Sequence, residues 1–225
     1  PARVIISGGV LDIRNFGFGG GGSSGAPLEL ALDELVISDS ISIRPFRGSF
    51  STGSGLDGQY SGKVNGRADV RGVVVPTAQG PALRITSANG GAVLAASGIF
   101  ENARGGEMSL VLRPNGQPGQ FDGRLEIENA RFKNAPALAE LLSALSVIGL
   151  LEQLSGNGIL FTSVEADFTL SPGGVTLKRS SAVGPSMGIT MEGIFNTATR
   201  QMQMQGVVSP IYVVNGLFGA LFSPR

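Results

Sequence analysis

The 225-residue sequence predicts an all-β protein in which consecutive antiparallel strands form one curved sheet. Apolar and polar residues alternate in many short segments, which is the period-2 pattern of strands with one buried face. Gly, Pro, Asn and Asp residues separate these segments at intervals of about ten residues, as expected for antiparallel neighbours joined by turns. Glycine contributes 35 residues, which we interpret as turns, bulges and bends of a curved sheet.

The alternation identifies the strands one after another along the chain. The alternating apolar positions are, in order, Leu28, Leu30 and Leu32; Met108, Leu110 and Leu112; Leu125 and Ile127; Phe168 and Leu170; Val175 and Leu177; Met187, Ile189 and Met191; and Met202 and Met204. Turn sequences lie between several of these segments, including Pro-Asn-Gly at 114–116 and Ser-Pro-Gly-Gly at 171–174. These segments predict hairpins.

Two strands change phase within their length. Leu32 and Leu35 are an odd number of residues apart, and so are Phe161 and Val164. A one-residue change of phase turns the apolar positions to the other face unless a bulge or a bend corrects it. The sequence therefore predicts irregularities that curve the sheet.

One segment, residues 136–154, predicts a helix inside this β protein. Asn134 is a suitable N-cap and Pro136 lies in the first turn. Helical spacing relates the apolar residues Leu138, Leu141, Leu142, Leu145, Ile148, Leu151 and Leu154. Two interpretations stay open at this stage: a helix that caps the apolar end of the sheet, or a plug that faces a membrane or gates lipid.

Composition excludes several function classes. The chain has no His and no Cys, so Ser-His-Asp and Cys-His catalysis, thiolate chemistry and the usual zinc or iron–sulfur sites are ruled out. Seventeen basic and 17 acidic residues give no net charge, and there are two Tyr and no Trp, which disfavours nucleic-acid binding. We expect no enzymatic activity, no cofactor, no metal and no nucleic-acid partner.

Two further motifs have ordinary structural explanations. Residues 17–22 satisfy G-x-G-x-x-G, but a Ser-Ser-Gly-Ala-Pro segment and a strand follow instead of the helix that a dinucleotide site needs. We interpret this motif as a connection between strands. Four methionines lie on two consecutive predicted strands, at 187, 191, 202 and 204, and form either core packing or an adaptable surface for lipid.

The ends of the chain predict that it is a fragment of a longer protein. The sequence opens on Pro1 without an apolar leader, and it stops shortly after an apolar segment. No stretch reaches the about 18–20 apolar residues of a membrane span. We expect any targeting or anchoring segment to lie outside this chain.

About two-thirds of the chain resembles the C-terminal region of the AsmA-like proteins, the family that includes AsmA, TamB and YhdP. The similarity is greatest to YhdP-like members from alphaproteobacteria, and it depends on the joint spacing of several pieces. These pieces are residues 81–85, 87–94, 102–106, 121–123, 135–143, 156–161, 181–188 and 206–216. The resemblance divides the chain into a β-groove segment, 1–80, and an AsmA-like region, 81–225, within one continuous structural unit.

The resemblance implies a curved sheet that forms an open U-shaped groove and carries phospholipid acyl chains between the inner and outer membranes of a Gram-negative envelope. It also implies the periplasmic part of an inner-membrane-anchored protein, whose N-terminal anchor is missing here and whose helical segment is a possible second membrane contact. The candidate groove residues are Leu110, Leu125, Ile127, Phe161, Phe168, Leu170, Met187, Ile189, Met191, Met202 and Met204. The competing interpretations are a structural β-rod without lipid cargo and a carbohydrate-active enzyme with paired carboxylates.

Overall fold

The computed structural model describes residues 3–14, 25–134, 139, 142–143, 148–196, 199 and 201–210. Within these residues, fifteen strands form one open sheet, which confirms the all-β prediction. The strands are β1 (Val4–Ser7), β2 (Val10–Asp12), β3 (Leu28–Leu32), β4 (Glu34–Val36), β5 (Ser42–Ser51), β6 (Asp57–Val64), β7 (Ala68–Thr77), β8 (Gly80–Ser87), β9 (Ala103–Arg104), β10 (Glu107–Pro114), β11 (Phe121–Phe132), β12 (Ile159–Ser171), β13 (Gly174–Val183), β14 (Met187–Asn196) and β15 (Met202–Pro210). The G-x-G-x-x-G motif at 17–22 lies outside the described residues.

Most of the sheet follows the order of the chain. Its strand order is β1-β3-β5-β6-β7-β8-β10-β11-β12-β13-β14-β15, while β4 pairs with β2 and β5, and β9 pairs with β11. Every pairing from β3–β5 onward is antiparallel, but β1 pairs with β3 and β2 with β4 in parallel. The expectation of a wholly antiparallel sheet is therefore wrong at this edge, because residues 4–12 run alongside residues 28–36 in the same direction.

Both predicted phase changes coincide with backbone irregularities. Asp33 separates β3 from β4, and the register of β5 with β6 shifts between Ile43 and Phe46. Farther along, the second phase change lies opposite Asn129 on β11, whose φ is 60°, while the register of β11 with β12 is the same on both sides of this residue. This left-handed conformation is uncommon for a residue other than glycine, and it re-aims the strand. Two more register shifts lie on either side of β13.

Two short helices accompany the sheet in the part of the chain that is described. Helix α1 (Gly90–Ala96) was not predicted; its N-cap, Asn89, accepts hydrogen bonds from the backbone N–H groups of Ala92 and Gly105, both at 2.9 Å. Helix α2 (Ile148–Ser155) lies in the segment predicted to be helical, and residues 139, 142 and 143 also have helical backbone. The remainder of the predicted helix is outside the described residues. Neither helix combines the length and apolar character needed to cross a bilayer.

Buried apolar side chains form two clusters on one side of the sheet. The aromatic core consists of Leu32, Leu35, Ile43, Phe46, Phe50, Tyr60, Val64, Ala68, Val70, Val74 and Ala96. The helix-end core consists of Leu94, Ala103, Met108, Ile127, Ala130, Phe132, Leu142, Leu150, Leu154, Ile159, Phe161 and Met187. Helix α1 contributes to both clusters, whereas α2 covers only the second.

Candidate functional site

One face of the sheet, here called the inner face, carries apolar side chains and glycines from β3 to β15. Directly opposed residues on paired strands project to the same face, so the register connects them into rows across the sheet. The first row is Leu28, Phe50, Gly58, Val74, Leu83, Leu112, Gly123, Phe168, Leu177, Gly193 and Met204. The second row is Leu30, Gly48, Tyr60, Gly72, Ile85, Leu110, Leu125, Ala166, Ser180, Met191 and Gly206. Neither row contains a charged residue.

The opposite face, here called the outer face, carries the charged side chains. Arg124 on β11 forms ion pairs with Glu126 on its own strand and with Glu165 and Asp167 on β12, at 2.7, 3.4 and 3.3 Å. Arg179 on β13 contacts Asp167 at 2.6 Å, and this hydrogen bond is the main reason that the pKa of Asp167 lies below its usual value. The sheet is therefore strongly two-sided, with opposite charges neutralised in pairs on the outer face.

Burial along the inner face falls steeply towards the last strand. In the N-terminal half of the sheet, strands β1 to β8, Phe46 is 3% exposed and Tyr60 is 8% exposed. In the C-terminal half, Met191 and Phe195 are each 37% exposed, and Met202 on β15 is 63% exposed. We call the part-exposed inner-face side chains of the C-terminal half the open face: Leu110, Leu112, Leu125, Phe168, Leu170, Leu177, Met191, Phe195, Met202 and Met204.

Aromatic stacking fills the N-terminal half. The ring of Phe46 lies 5.4 Å from that of Tyr60 and 6.5 Å from that of Phe50, measured between ring centroids, and both pairs are stacked. Burial disfavours the phenolate and raises the pKa of Tyr60 to about 12. This part of the inner face is an ordinary packed core.

The predicted groove residues fall into three groups. Seven belong to the open face: Leu110, Leu125, Phe168, Leu170, Met191, Met202 and Met204. Ile189 is half-buried against the helix-end core, and Leu125 also packs against that core. The remaining three, Ile127, Phe161 and Met187, are buried inside the helix-end core, with exposed fractions of 3% or less. Alternation placed all eleven residues on strands, but it did not separate those that line a surface from those that are covered.

The predicted helical residues are described only in part. Leu142 and Leu154 are buried in the helix-end core, and Leu151 is half-buried against it. Leu150, which was not among the predicted positions, is buried there as well. Ile148 begins α2, while Leu138, Leu141 and Leu145 lie outside the described residues. The described apolar side chains of this segment therefore pack on the sheet end, the arrangement that a capping helix requires.

The sheet edge formed by β15 carries no charge; its inner face is apolar, while its outer face also carries the polar side chains of Gln203 and Gln205. Met202 and Met204 lie on the inner face, while Val207, opposite Thr190, is 62% exposed on the outer face. No charged residue occurs in Met202–Pro210, and no described strand pairs with the far side of β15. Charged side chains commonly protect strand edges, so this edge lacks a usual protection.

The acidic side chains of the described ranges form no metal-binding group. A depression on the outer face between β12 and β15 contains Glu165, Asp167 and Glu192, but Asp167 is paired with Arg179, and the Glu192 carboxylate accepts a hydrogen bond from Gln205. Across the described ranges, no three His, Cys, Asp or Glu side chains are grouped closely enough to hold a metal. The chemistry that the site offers is apolar contact.

Sequence reasoning missed several residues that define the two halves. Phe46, Phe50 and Tyr60 were not identified as core, although Phe46 and Phe50 flank Gly48 in period 2. Leu177 was predicted as an alternating strand position but not as a groove residue, and Phe195 was not predicted at all; their pairing with Phe168 and with Met202 places both on the inner face. That signal needs the register between strands, which one strand alone does not carry.

Comparison with known proteins adds no relative. No protein family model, no curated protein and no solved structure matches this chain.

Proposed function

We propose that the open face binds phospholipid acyl chains and that the chain is part of a lipid-transport groove of a Gram-negative envelope. The observation that supports this most strongly is the pair of uncharged rows that continue across the sheet and become part-exposed from β10 to β15. Each buried CH₂ of an acyl chain contributes about 0.8 kcal/mol, so apolar contact alone can hold a lipid without a polar recognition site. Flexible methionines at 191, 202 and 204 suit a ligand of irregular shape.

The resemblance to AsmA-like proteins supports the same proposal and gives it a location. In this proposal the chain lies in the periplasm, as part of a protein anchored in the inner membrane, and its lipid partners pass along the inner face. The helix-end core closes one end of strands β10–β14, so lipid chains contact the inner face from the open half. Protein partners are not part of the proposal, and no enzymatic step is needed.

A structural β-rod without lipid cargo is the second candidate. The aromatic core favours it, because Phe46, Phe50 and Tyr60 fill the inner face in the N-terminal half and leave no room there for a ligand. The two candidates differ in what occupies the C-terminal half.

Native mass spectrometry of the protein purified from a Gram-negative host distinguishes the two candidates. Lipid transport predicts mass additions of phospholipid size, with phospholipid identified after solvent extraction of the same sample. Protein that is folded and lipid-free, both as purified and after incubation with phospholipid vesicles, contradicts the proposal and favours the rod.

A charged substitution on the open face tests where the lipid lies. Met191→Asp places a carboxylate against the acyl chains, where desolvation costs several kcal/mol, so we expect loading to fall at least about tenfold. The matched control is Val207→Asp, on the outer face of the neighbouring strand, which should leave loading unchanged. Equal loading by both variants, with unchanged circular dichroism, shows that lipid does not contact this face.

A further inference from the structure

Large side chains and glycines alternate along the inner-face rows. In the first row Gly123 lies between Leu112 and Phe168, and in the second row Tyr60 lies between Gly48 and Gly72. Gly193 and Gly206 have the same relation to Met204 and Met191. A large residue thus repeatedly faces a neighbour that has no side chain.

The aromatic rings use the space that these glycines leave. A Cβ atom built on Gly123 would overlap the Phe168 ring, with Cε1 only 2.8 Å away and Cζ and Cε2 closer still. A Cβ on Gly72 would overlap the Tyr60 ring in the same way. The rings therefore lie flat against the neighbouring strand, and each presents its face to the inner side of the sheet.

Gly123 differs from most glycines of the chain because only a side chain occupies the place of its Cβ. Its φ lies outside the left-handed region, so alanine can adopt the same backbone conformation. Gly206, in contrast, would place a Cβ against the Thr190 carbonyl oxygen, and Gly193 has a φ of 152°. At Gly123 the space is therefore reserved for the Phe168 ring rather than required by the backbone.

We propose that Gly123 is a specificity-determining residue of the open face, because it allows Phe168 to lie flat and so sets the depth available to an acyl chain. This inference rests on the proposed lipid function. With alanine at position 123 the Phe168 ring has to rise from the sheet into the space above it. The ring then occupies the volume that a bulky acyl chain needs, while a straight chain still fits beside it.

The experiment compares two lipids in one loading assay. Purified, delipidated protein is incubated with mixed vesicles of dipalmitoyl and diphytanoyl phosphatidylcholine, which differ in the methyl branches of their chains. Bound lipid is then extracted and quantified by mass spectrometry. We expect wild type to take up both lipids and Gly123→Ala to lower the branched-to-straight ratio about tenfold, the discrimination that one methyl-sized clash gives in an apolar pocket.

Three further variants separate this role from a structural one. Gly123→Ala with Phe168→Leu removes the raised ring and should restore the wild-type ratio. Phe168→Leu alone deepens the face and should raise the ratio, so the inference stays testable if Gly123→Ala does not fold. Gly188→Ala is the matched control, because no atom lies within 4 Å of its Cβ position and it lies on the outer face of β14.

The outcomes separate a failure of the role of Gly123 from a failure of the proposed lipid function. A wild-type protein that takes up neither lipid overturns the proposed function itself. A wild-type protein that takes up lipid, together with a Gly123→Ala variant whose ratio equals that of wild type and Gly188→Ala, overturns only the role of Gly123. An unchanged ratio in Phe168→Leu overturns it as well.

Discussion

The inner face is packed from β3 to β7 and part-exposed from β10 to β15, although both halves present rows of apolar residues and glycines. In the first half, α1 and Leu56 from the β5–β6 connection pack against the aromatic core, and Leu11 on the neighbouring strand β2 packs beside it. In the second half α2 covers one end of the strands, and the described chain places nothing over Met191, Phe195 or Met202. Within the described residues, the half against which α1 packs is buried, whereas the strands beyond α2 stay part-exposed.

The largest expected effect is a difference between the two halves in how much stability is lost when an aromatic ring is removed. Phe46→Ala leaves a cavity in the packed half and should lower the free energy of unfolding by about 3–5 kcal/mol. Phe195→Ala removes a ring that already contacts solvent in the lipid-free protein and should cost about 1 kcal/mol or less. Urea unfolding of the two variants measures both values, and equal losses would show that the halves are packed alike.

High pH should weaken the packed half through Tyr60. The pKa of Tyr60 is about 12 in the folded protein against 10.0 in an ordinary environment, so the unfolded chain loses this proton first as the pH rises. The contribution of Tyr60 to the free energy of unfolding is fully present below pH 10. It falls by about 3 kcal/mol in total as the pH rises to about 12.

The variant Tyr60→Phe isolates this effect, because it keeps the ring and removes the titrating hydroxyl. Thermal unfolding from neutral pH to pH 11 should show a steeper loss of stability in wild type than in the variant. Parallel curves would mean that Tyr60 does not titrate within the aromatic core.

The smallest expected effect is the loss of stability when an ion pair is removed from the outer face of the C-terminal half. The Asp122 carboxylate accepts hydrogen bonds from Lys178 Nζ at 2.9 Å and Thr169 Oγ1 at 2.8 Å, and the bond from Lys178 is the main cause of its lowered pKa. Because the pair is exposed, Asp122→Asn should cost about 0.5 kcal/mol or less at neutral pH.

The pH dependence of Asp122→Asn has a definite sign. A lowered pKa stabilises the folded state above the ordinary Asp value of 3.8 and ceases to do so as the pH falls through the folded value. The difference in unfolding free energy between wild type and variant should therefore shrink in acid and at high salt. A difference that persists in acid would mean that packing, and not charge, is responsible.

Much of the C-terminal half could be predicted because its strands are long and regular. The alternation of Met187, Ile189 and Met191 and that of Met202 and Met204 correctly predicted two strands, and these are the paired strands β14 and β15. Antiparallel pairing of successive strands follows from short turns, which the sequence shows directly. The predicted bends were likewise visible, because a change of phase is a local property.

Features that depend on distant segments could not be predicted. Met187 and Met191 alternate identically, yet the first is fully buried in the helix-end core and the second is part-exposed. Helix α1 was missed because it has only seven residues and begins with two glycines, which are poor helix formers. Gly91 fits there because a Cβ would overlap the backbone of Arg104. Parallel pairing of β1 with β3 was missed because alternation does not reveal a strand's partner.

The near-identity of strand order and chain order also bears on how this protein assembles. From β5 to β15, most neighbouring strands of the sheet are also consecutive in the chain, and most of these pairs are hairpins. Pairings over short sequence separations close small loops, which favours rapid, stepwise folding over the slow collapse of β-sandwiches. Within the described residues β15 pairs only with β14, so removing this strand would leave every other described pairing in place.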